Sequence, residues 1–212
     1  MVTGPSVPAA CNPMWNLPNI LTLSRIPMMF AIVGLMYADR SFAGWTGAAT
    51  GAFALFIAAA ISDWLDGAIA RRRGIVSNFG KFMDALTDKI LVIGILVALV
   101  RHDEDLPITF VLLTIGREFM VSGMRMVVAA KGIVVAADSG GKAKTITQMI
   151  AIGCLLAVPM LENDFVVWTG YPMHGLSEWV HKAGLIGYVL GTFLAVWSGY
   201  RYLKRNWAHF AE

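Results

Sequence analysis

The sequence predicts an all-α integral membrane protein of six transmembrane helices, and three observations carry that expectation. Hydrophobic residues make up 57% of the 212 and charged residues only 15%, with a mean hydropathy of +0.64; one soluble core of this size would not bury so much apolar surface. Apolar runs of about 20 residues, the length that crosses a bilayer, recur along the whole chain. The connections between those runs alternate between basic and acidic.

Met1 to Pro13 contains no Lys or Arg, unlike the charged start of a cleaved signal peptide, so the first helix is expected to be retained. Residues 1–17 read as a cytoplasmic tail or interfacial segment, 18–205 as one six-helix domain, and 206–212 as a cytoplasmic C-terminal tail. The opening "NLPNILTLSRIP", with Pro18 and Pro27, leaves room for a short interfacial helix before the first crossing. Apolar runs bounded by polar or Gly/Pro clusters place the spans near 18–38, 46–71, 80–100, 107–130, 142–161 and 179–202. Gly47 with Gly51, and Gly187 with Gly191, have the GxxxG spacing that lets membrane helices approach closely.

Arg71, Arg72, Arg73 and Lys81 lie between spans two and three, Lys131, Lys142 and Lys144 between four and five, and Arg201, Lys204 and Arg205 after six. The alternate connections carry Asp39, then Asp103, Glu104 and Asp105, then Glu162, Asp164 and Glu178, opposed only by Arg40, Arg101 and Lys182. Basic connections stay in the cytoplasm, so both termini and the 72–79 and 131–142 loops are expected there, in the inner membrane. The net charge of +3 is then an orientation signal, and no nucleic-acid partner is expected.

The stretch "SDWLDGAIARRRGIVSNFGKFMDALTD" sets four carboxylates inside this apolar chain. Asp63 and Asp66 are three apart and Asp84 and Asp88 four apart, so each pair projects from one helix face. At 1.5 Å per residue, Asp63 and Asp88 lie roughly 12 Å below the cytoplasmic ends of their helices, with Asp66 and Asp84 about half as deep. Each ionised Asp costs about 2.5 to 3.5 kcal/mol at a helix centre, and four together repel one another, so a cation is required. Lys89 and the arginine run neutralise part of this charge, and all-oxygen ligation without nearby His or Cys suits Mg²⁺ or Mn²⁺. Four carboxylates suffice for two such ions, which clamp the attacking and leaving oxygens of a phosphoryl-type displacement. Helix capping accounts for one carboxylate, not for two pairs at matched depth. Gly67, Ala70 and Gly80 leave backbone bare beside them, where a phosphate can come close.

From Asp63 to Asp88 the pattern is D-x2-D-G-x2-A-R-x8-G-x3-D-x3-D, which resembles in full the signature of the CDP-alcohol phosphotransferase family. The resemblance implies a six-helix, usually dimeric enzyme that uses two divalent metals and transfers a phosphate-bearing group from a CDP-linked donor to an alcohol, releasing CMP. It makes Asp63, Asp66, Asp84 and Asp88 the metal ligands and Asp88 also the catalytic base, and it places Gly67, Ala70, Arg71 and Gly80 around the cytidine diphosphate. The opening "NLPNILTLSRI" and the stretch "GREFMVSGMRMVVAAKGIVVAADSGGKAKTITQM" at 116–149 resemble the phosphatidylglycerophosphate synthase branch. That likeness implies CDP-diacylglycerol as donor, touched also by Asn19 and Thr22. It implies sn-glycerol 3-phosphate as acceptor, touched by Arg117, Glu118, Ser122, Arg125, Lys142 and Lys144. A phosphate-bearing acceptor needs such cations, and arginines inside an apolar span usually face a cavity. Transfer to inositol phosphate is the alternative within the family.

A carrier or proton relay would also hold intramembrane carboxylates, but it predicts acids spread through the membrane depth and an internal repeat, and neither is found. "SGGK" is no P-loop, because Ala136 stands at the first glycine position and Ala143 where Ser or Thr is needed. His102, His174, His181 and His209 have no ligand spacing and read as interfacial. Trp15, Tyr37, Trp45, Trp168, Tyr171, Tyr202 and Trp207 read as an interface belt. Cys11 and Cys154 read as structural, with neither a disulfide nor a metal cage between them.

Overall fold

Where water is excluded a chain must satisfy its own backbone, and apolar runs of this length do so as helices. The computed structural model describes residues 17–41, 46–73, 78–130 and 139–207; for 17–19, 21, 39–41, 63–73, 78–82, 84–85, 88, 129–130 and 139–142 the description ends at helix membership. The helices are α1 (Leu17–Ser41), α2 (Ala48–Arg73), α3 (Asn78–His102), α4 (Ile108–Ala130), α5 (Ser139–Pro159), α6 (Phe165–Thr169) and α7 (His174–Asn206), with a π-helical segment, Met160–Asp164, joining α5 to α6. Each of the six expected spans coincides with one long helix. Among the described residues, Ala143–Thr169 and His174–Asn206 are long and apolar enough to cross a bilayer, and Thr22–Ala38 and Ala48–Ser62 are shorter apolar stretches.

Three boundaries differ from expectation. From Leu17 onward there is no separate interfacial helix: α1 runs unbroken through Pro27. Pro18 sits in the first turn, where no intrahelical N–H is needed, and a single interior proline is tolerated when neighbouring helices hold the segment. Asn16 and the residues before it lie outside the described residues. The fifth helical path continues to Thr169 instead of ending near 161, because the Phe165 amide bonds to the Met160 carbonyl and widens the turn without breaking it. It stops at Gly170, whose φ of +73° is left-handed and whose amide donates to the Val166 carbonyl at 2.8 Å. The sixth long helix then begins at His174, not 179.

α1, α2, α3 and α5 share the apolar core, in which Ile32, Phe56, Ile95, Leu96, Ile152 and Leu156 are sealed from solvent. α7 inverts the pattern of a soluble helix. Ser177, Gly184, Gly191 and Ser198 recur every seventh residue and are buried together with Tyr188, Ala195 and Tyr202, while Leu190, Phe193, Trp197 and Tyr200 are exposed. Small and polar groups thus face the protein and large apolar ones face outward, as lipid requires. The small residues let α5 and α7 close on one another: a Cβ on Gly191 would stand 2.8 Å from Gln148 Cγ, and one on Gly184 2.9 Å from Leu155 Cδ2.

The π segment has a long-range purpose. It delivers Asp164 to the start of α2, where the carboxylate accepts from the Gly47 amide, the Thr50 amide and the Thr50 hydroxyl, each at 2.7 Å. Gly47, at φ +103°, holds the N-cap position that orients those amides. A carboxylate borrowed from a distant segment therefore does what a local capping side chain usually does, with the helix dipole favouring its charge. Glu162 fixes the same segment to α7 by accepting from Ser177 Oγ at 2.8 Å.

Candidate active site

Asp63, Asp66, Gly67, Ala70 and Arg71 fall on α2 and Gly80, Asp84 and Asp88 on α3, toward the ends joined by residues 74–77. Both helices are continuous there, so the i,i+3 and i,i+4 pairs keep their same-face spacing. For all eight, as for Asn19 and Lys142, the description ends at helix membership. Thr22 is buried in α1, and three residues on is Arg25, fully buried and overlooked in the sequence. A cation sealed to that degree requires compensation, and "TLSRI" offered a signal for it in a lone arginine within an apolar run.

Three described cations, Lys89, Arg117 and Lys144, gather where α3, α4, α5 and α7 meet. Arg117 on α4 donates from Nε to the Ala195 carbonyl at 2.9 Å, from Nη2 to Ser198 Oγ at 2.8 Å, and from Nη1 to Glu118 Oε1 at 3.0 Å. Gly199 leaves room for the arginine stem, since a Cβ there would lie 3.2 Å from Arg117 Cγ. Glu118 also pairs with Lys144 of α5. Lys89, Glu118 and Lys144 line a cavity of about 60 Å³ whose wall includes Thr114 and Gln148. Among the described side chains, Lys89, Arg117 and Lys144 stand around the single carboxylate of Glu118, and that excess of positive charge favours an anion.

Below the cavity the polar groups are satisfied. Gln148 Nε2 and the Tyr188 hydroxyl both donate to Thr114 Oγ1, at 3.3 and 3.2 Å, and Thr114 and Thr192 share a hydrogen bond of 3.1 Å. This buried string pins α4, α5 and α7 together and fixes the depth of Glu118 and Lys144. Further along α4, Ser122 is half-buried and Arg125 is exposed, its guanidinium carbon 5.7 Å from the centre of the Tyr202 ring. Tyr202 does not belong to the interface belt: it is 3% exposed because it continues the inward seam of α7. Tyr37, Trp168, Tyr171 and Trp207 are exposed as that belt requires, whereas Trp15 and Trp45 lie outside the described residues. Cys154 is a free thiol on α5, and Cys11 lies outside the described residues.

At the opposite end of the helices Asp103, Asp105 and His181 bring potential ligand atoms within 4.8 Å of one another, with His181 Nε2 and Asp103 Oδ2 2.8 Å apart. Sequence spacing could not show this grouping, because 78 residues separate the pair. His102 likewise meets the Met36 carbonyl at 2.9 Å. The group borders a cavity of about 510 Å³ with Glu104, Glu162 and Glu178 on its wall. Asp88 and the end of α3 beside Asp103 are separated by roughly 20 Å of helix, so this cluster is distinct from the aspartate signature.

Residues 15–193 match the CDP-alcohol phosphatidyltransferase family. The chain is similar to a Bacillus subtilis protein named CDP-diacylglycerol–glycerol-3-phosphate 3-phosphatidyltransferase, at 40% identity over 92% of this chain and 96% of that protein. Proteins of the same name from Rickettsia typhi and Rickettsia prowazekii are each 34% identical, over 90% and 89% of this chain and 97% and 94% of their own lengths.

Proposed function

The chain belongs to the CDP-alcohol phosphatidyltransferase family, and from that membership we propose that it transfers the phosphatidyl group of CDP-diacylglycerol to sn-glycerol 3-phosphate, giving phosphatidylglycerol phosphate and CMP. The observation that carries this reading is the similarity, over nine-tenths of the chain, to curated relatives named for that reaction. Buried cations around Glu118 support it, because the acceptor brings a phosphate of its own.

The donor's acyl chains remain among the lipids beside the exposed apolar faces, and its pyrophosphate reaches the ends of α2 and α3. The all-oxygen set of Asp63, Asp66, Asp84 and Asp88, on two unbroken helices, fits two hard divalent ions, Mg²⁺ or Mn²⁺. Such ions, when bound, neutralise the pyrophosphate and stabilise the leaving oxygen. Asp88 takes the proton from the acceptor's primary hydroxyl. That oxygen bonds to the phosphorus carrying diacylglycerol, the bond from this phosphorus to the bridging oxygen breaks, and CMP leaves with its charge met by Arg71. Thr22, with Asn19, borders the donor; Arg117, Glu118, Ser122, Arg125, Lys142 and Lys144 border the acceptor. The alternation of basic and acidic connections supports an inner-membrane location with both termini and the site at the cytoplasmic face. The enzyme works as a homodimer, by analogy with its family.

The test is CMP release by purified protein in detergent, with CDP-diacylglycerol and either glycerol 3-phosphate or inositol phosphate, with and without Mg²⁺. Metal-dependent release with glycerol 3-phosphate is expected; release only with inositol phosphate reassigns the acceptor, and none with either removes the reading. Asp88→Asn is expected to lower turnover by about a thousandfold or more with thermal unfolding unchanged, the scale of losing general-base and metal-ligand roles together.

A further inference from the structure

α4 and α7 run parallel, and their contacts advance in step. Thr114 meets Thr192, Arg117 meets Ala195 and Ser198, Val121 stands against Gly199, and Arg125 lies over Tyr202. Along the first rungs the polar groups named here are bonded within the protein. On the last rung they are not. The Tyr202 hydroxyl is buried and, among the described residues, has no hydrogen-bond partner. Arg125 contacts the tyrosine ring, and among the described residues no carboxylate pairs with it.

A buried phenol O–H without an acceptor loses its bonds to water and gains nothing, so such groups are rare unless a ligand completes them. Here the orphan donor belongs to the ring over which the Arg125 guanidinium lies, its carbon 5.7 Å from the ring centre. Two donors of different kinds, one charged and one neutral, thus stand on the same rung, beyond the end of the buried string. A phosphate offers several acceptor oxygens and a negative charge that suits both.

We propose that Tyr202 is a substrate-binding residue whose hydroxyl, together with Arg125, holds the phosphate of the acceptor. The assignment rests on the reading of that acceptor as a phosphomonoester. Arg117, at the border of the same acceptor, serves it at one remove as a positioning residue: its Nε, Nη1 and Nη2 all have protein partners, and it sets the height of Glu118 and through it Lys144. The phosphate of an anionic lipid headgroup has the same chemistry, so the experiment separates the two sources.

Tyr202→Phe removes only the hydroxyl. In this variant the KM for glycerol 3-phosphate is expected to rise about tenfold, the scale of one hydrogen bond to a charged group, with the KM for CDP-diacylglycerol and the kcat unchanged. Ligand-free Tm should stay level or rise, because an unsatisfied donor has been taken out of the interior, while the Tm increase given by glycerol 3-phosphate should shrink. In an Arg125→Ala background the same change should have less than its full effect, since both groups grip one phosphate. An unchanged KM for glycerol 3-phosphate, or a fall in ligand-free Tm, overturns the proposal. A rise confined to the KM for CDP-diacylglycerol assigns the phosphate to the lipid and overturns it too. If the wild-type protein releases no CMP with glycerol 3-phosphate, the parent reading fails; the protective shift in Tm then still reads the phosphate grip without turnover, and its persistence in Tyr202→Phe sinks the grip separately.

Discussion

At the end of the bundle where α2 begins, the Asp164 carboxylate is sealed from solvent and accepts from three donors at 2.7 Å; where α4 and α7 finish, Arg125 is exposed and the Tyr202 hydroxyl donates to no described residue. Both ends place charge beside helices in a largely apolar protein. They differ in whether the charge is answered from within. An internally completed group stabilises the fold and needs no ligand, whereas donors left open are tolerable when something else fills them. The same contrast recurs on α4 itself, between Arg117, with three protein partners, and Arg125, eight positions on, which among the described residues meets only a ring.

The contrast can be broken most directly at its closed end. Asp164→Ala leaves two backbone N–H groups and a hydroxyl without their acceptor, and about 3 kcal/mol of stability should be lost, read from thermal or denaturant unfolding in detergent. The KM for glycerol 3-phosphate of the folded fraction should not move; a large change there would mean the two ends are not separable. Next come the arginines. Arg117→Ala should lower stability by about 2 kcal/mol, because the bonds it gives α7 and Glu118 go together, while Arg125→Ala should leave Tm nearly level and raise the KM for glycerol 3-phosphate about thirtyfold. Equal losses of stability in the two variants would erase the distinction. The smallest effect sharpens it: Thr192→Val removes one member of the buried string and should cost about 0.6 kcal/mol, typical of hydrogen bonds between membrane helices, with no kinetic change.

Much of the architecture was legible in the sequence because the bilayer imposes so simple a rule. Apolar runs separated by polar clusters marked the six long helices, and the ends missed their marks only where a turn was widened or a proline absorbed, as at Met160–Asp164 and Pro27. The aspartate pattern was legible for a different reason, being written within two neighbouring helices at fixed spacing. Contacts between distant segments were not. Asp164 read as an orientation signal because nothing near it in sequence reveals that Gly47 and Thr50, more than a hundred residues earlier, need an acceptor. His181 and Asp103 were equally hidden. Tyr202 was misread although a signal existed: the seven-residue recurrence of Ser177, Gly184, Gly191 and Ser198 marks the inward seam of α7, and Tyr202 lies on it. An aromatic near a span end invites assignment to the headgroups, and the seam should have outweighed its position.

The borrowed carboxylate also orders events in time. The amides of Gly47 and Thr50 are synthesised 117 and 114 positions before Asp164. While the ribosome is still making α3 and α4, the acceptor that closes the start of α2 does not yet exist. The helix that carries the first two signature aspartates is therefore among the earliest to be inserted and among the last to be fastened, and a chain halted before its fifth helical path is complete lacks that clasp.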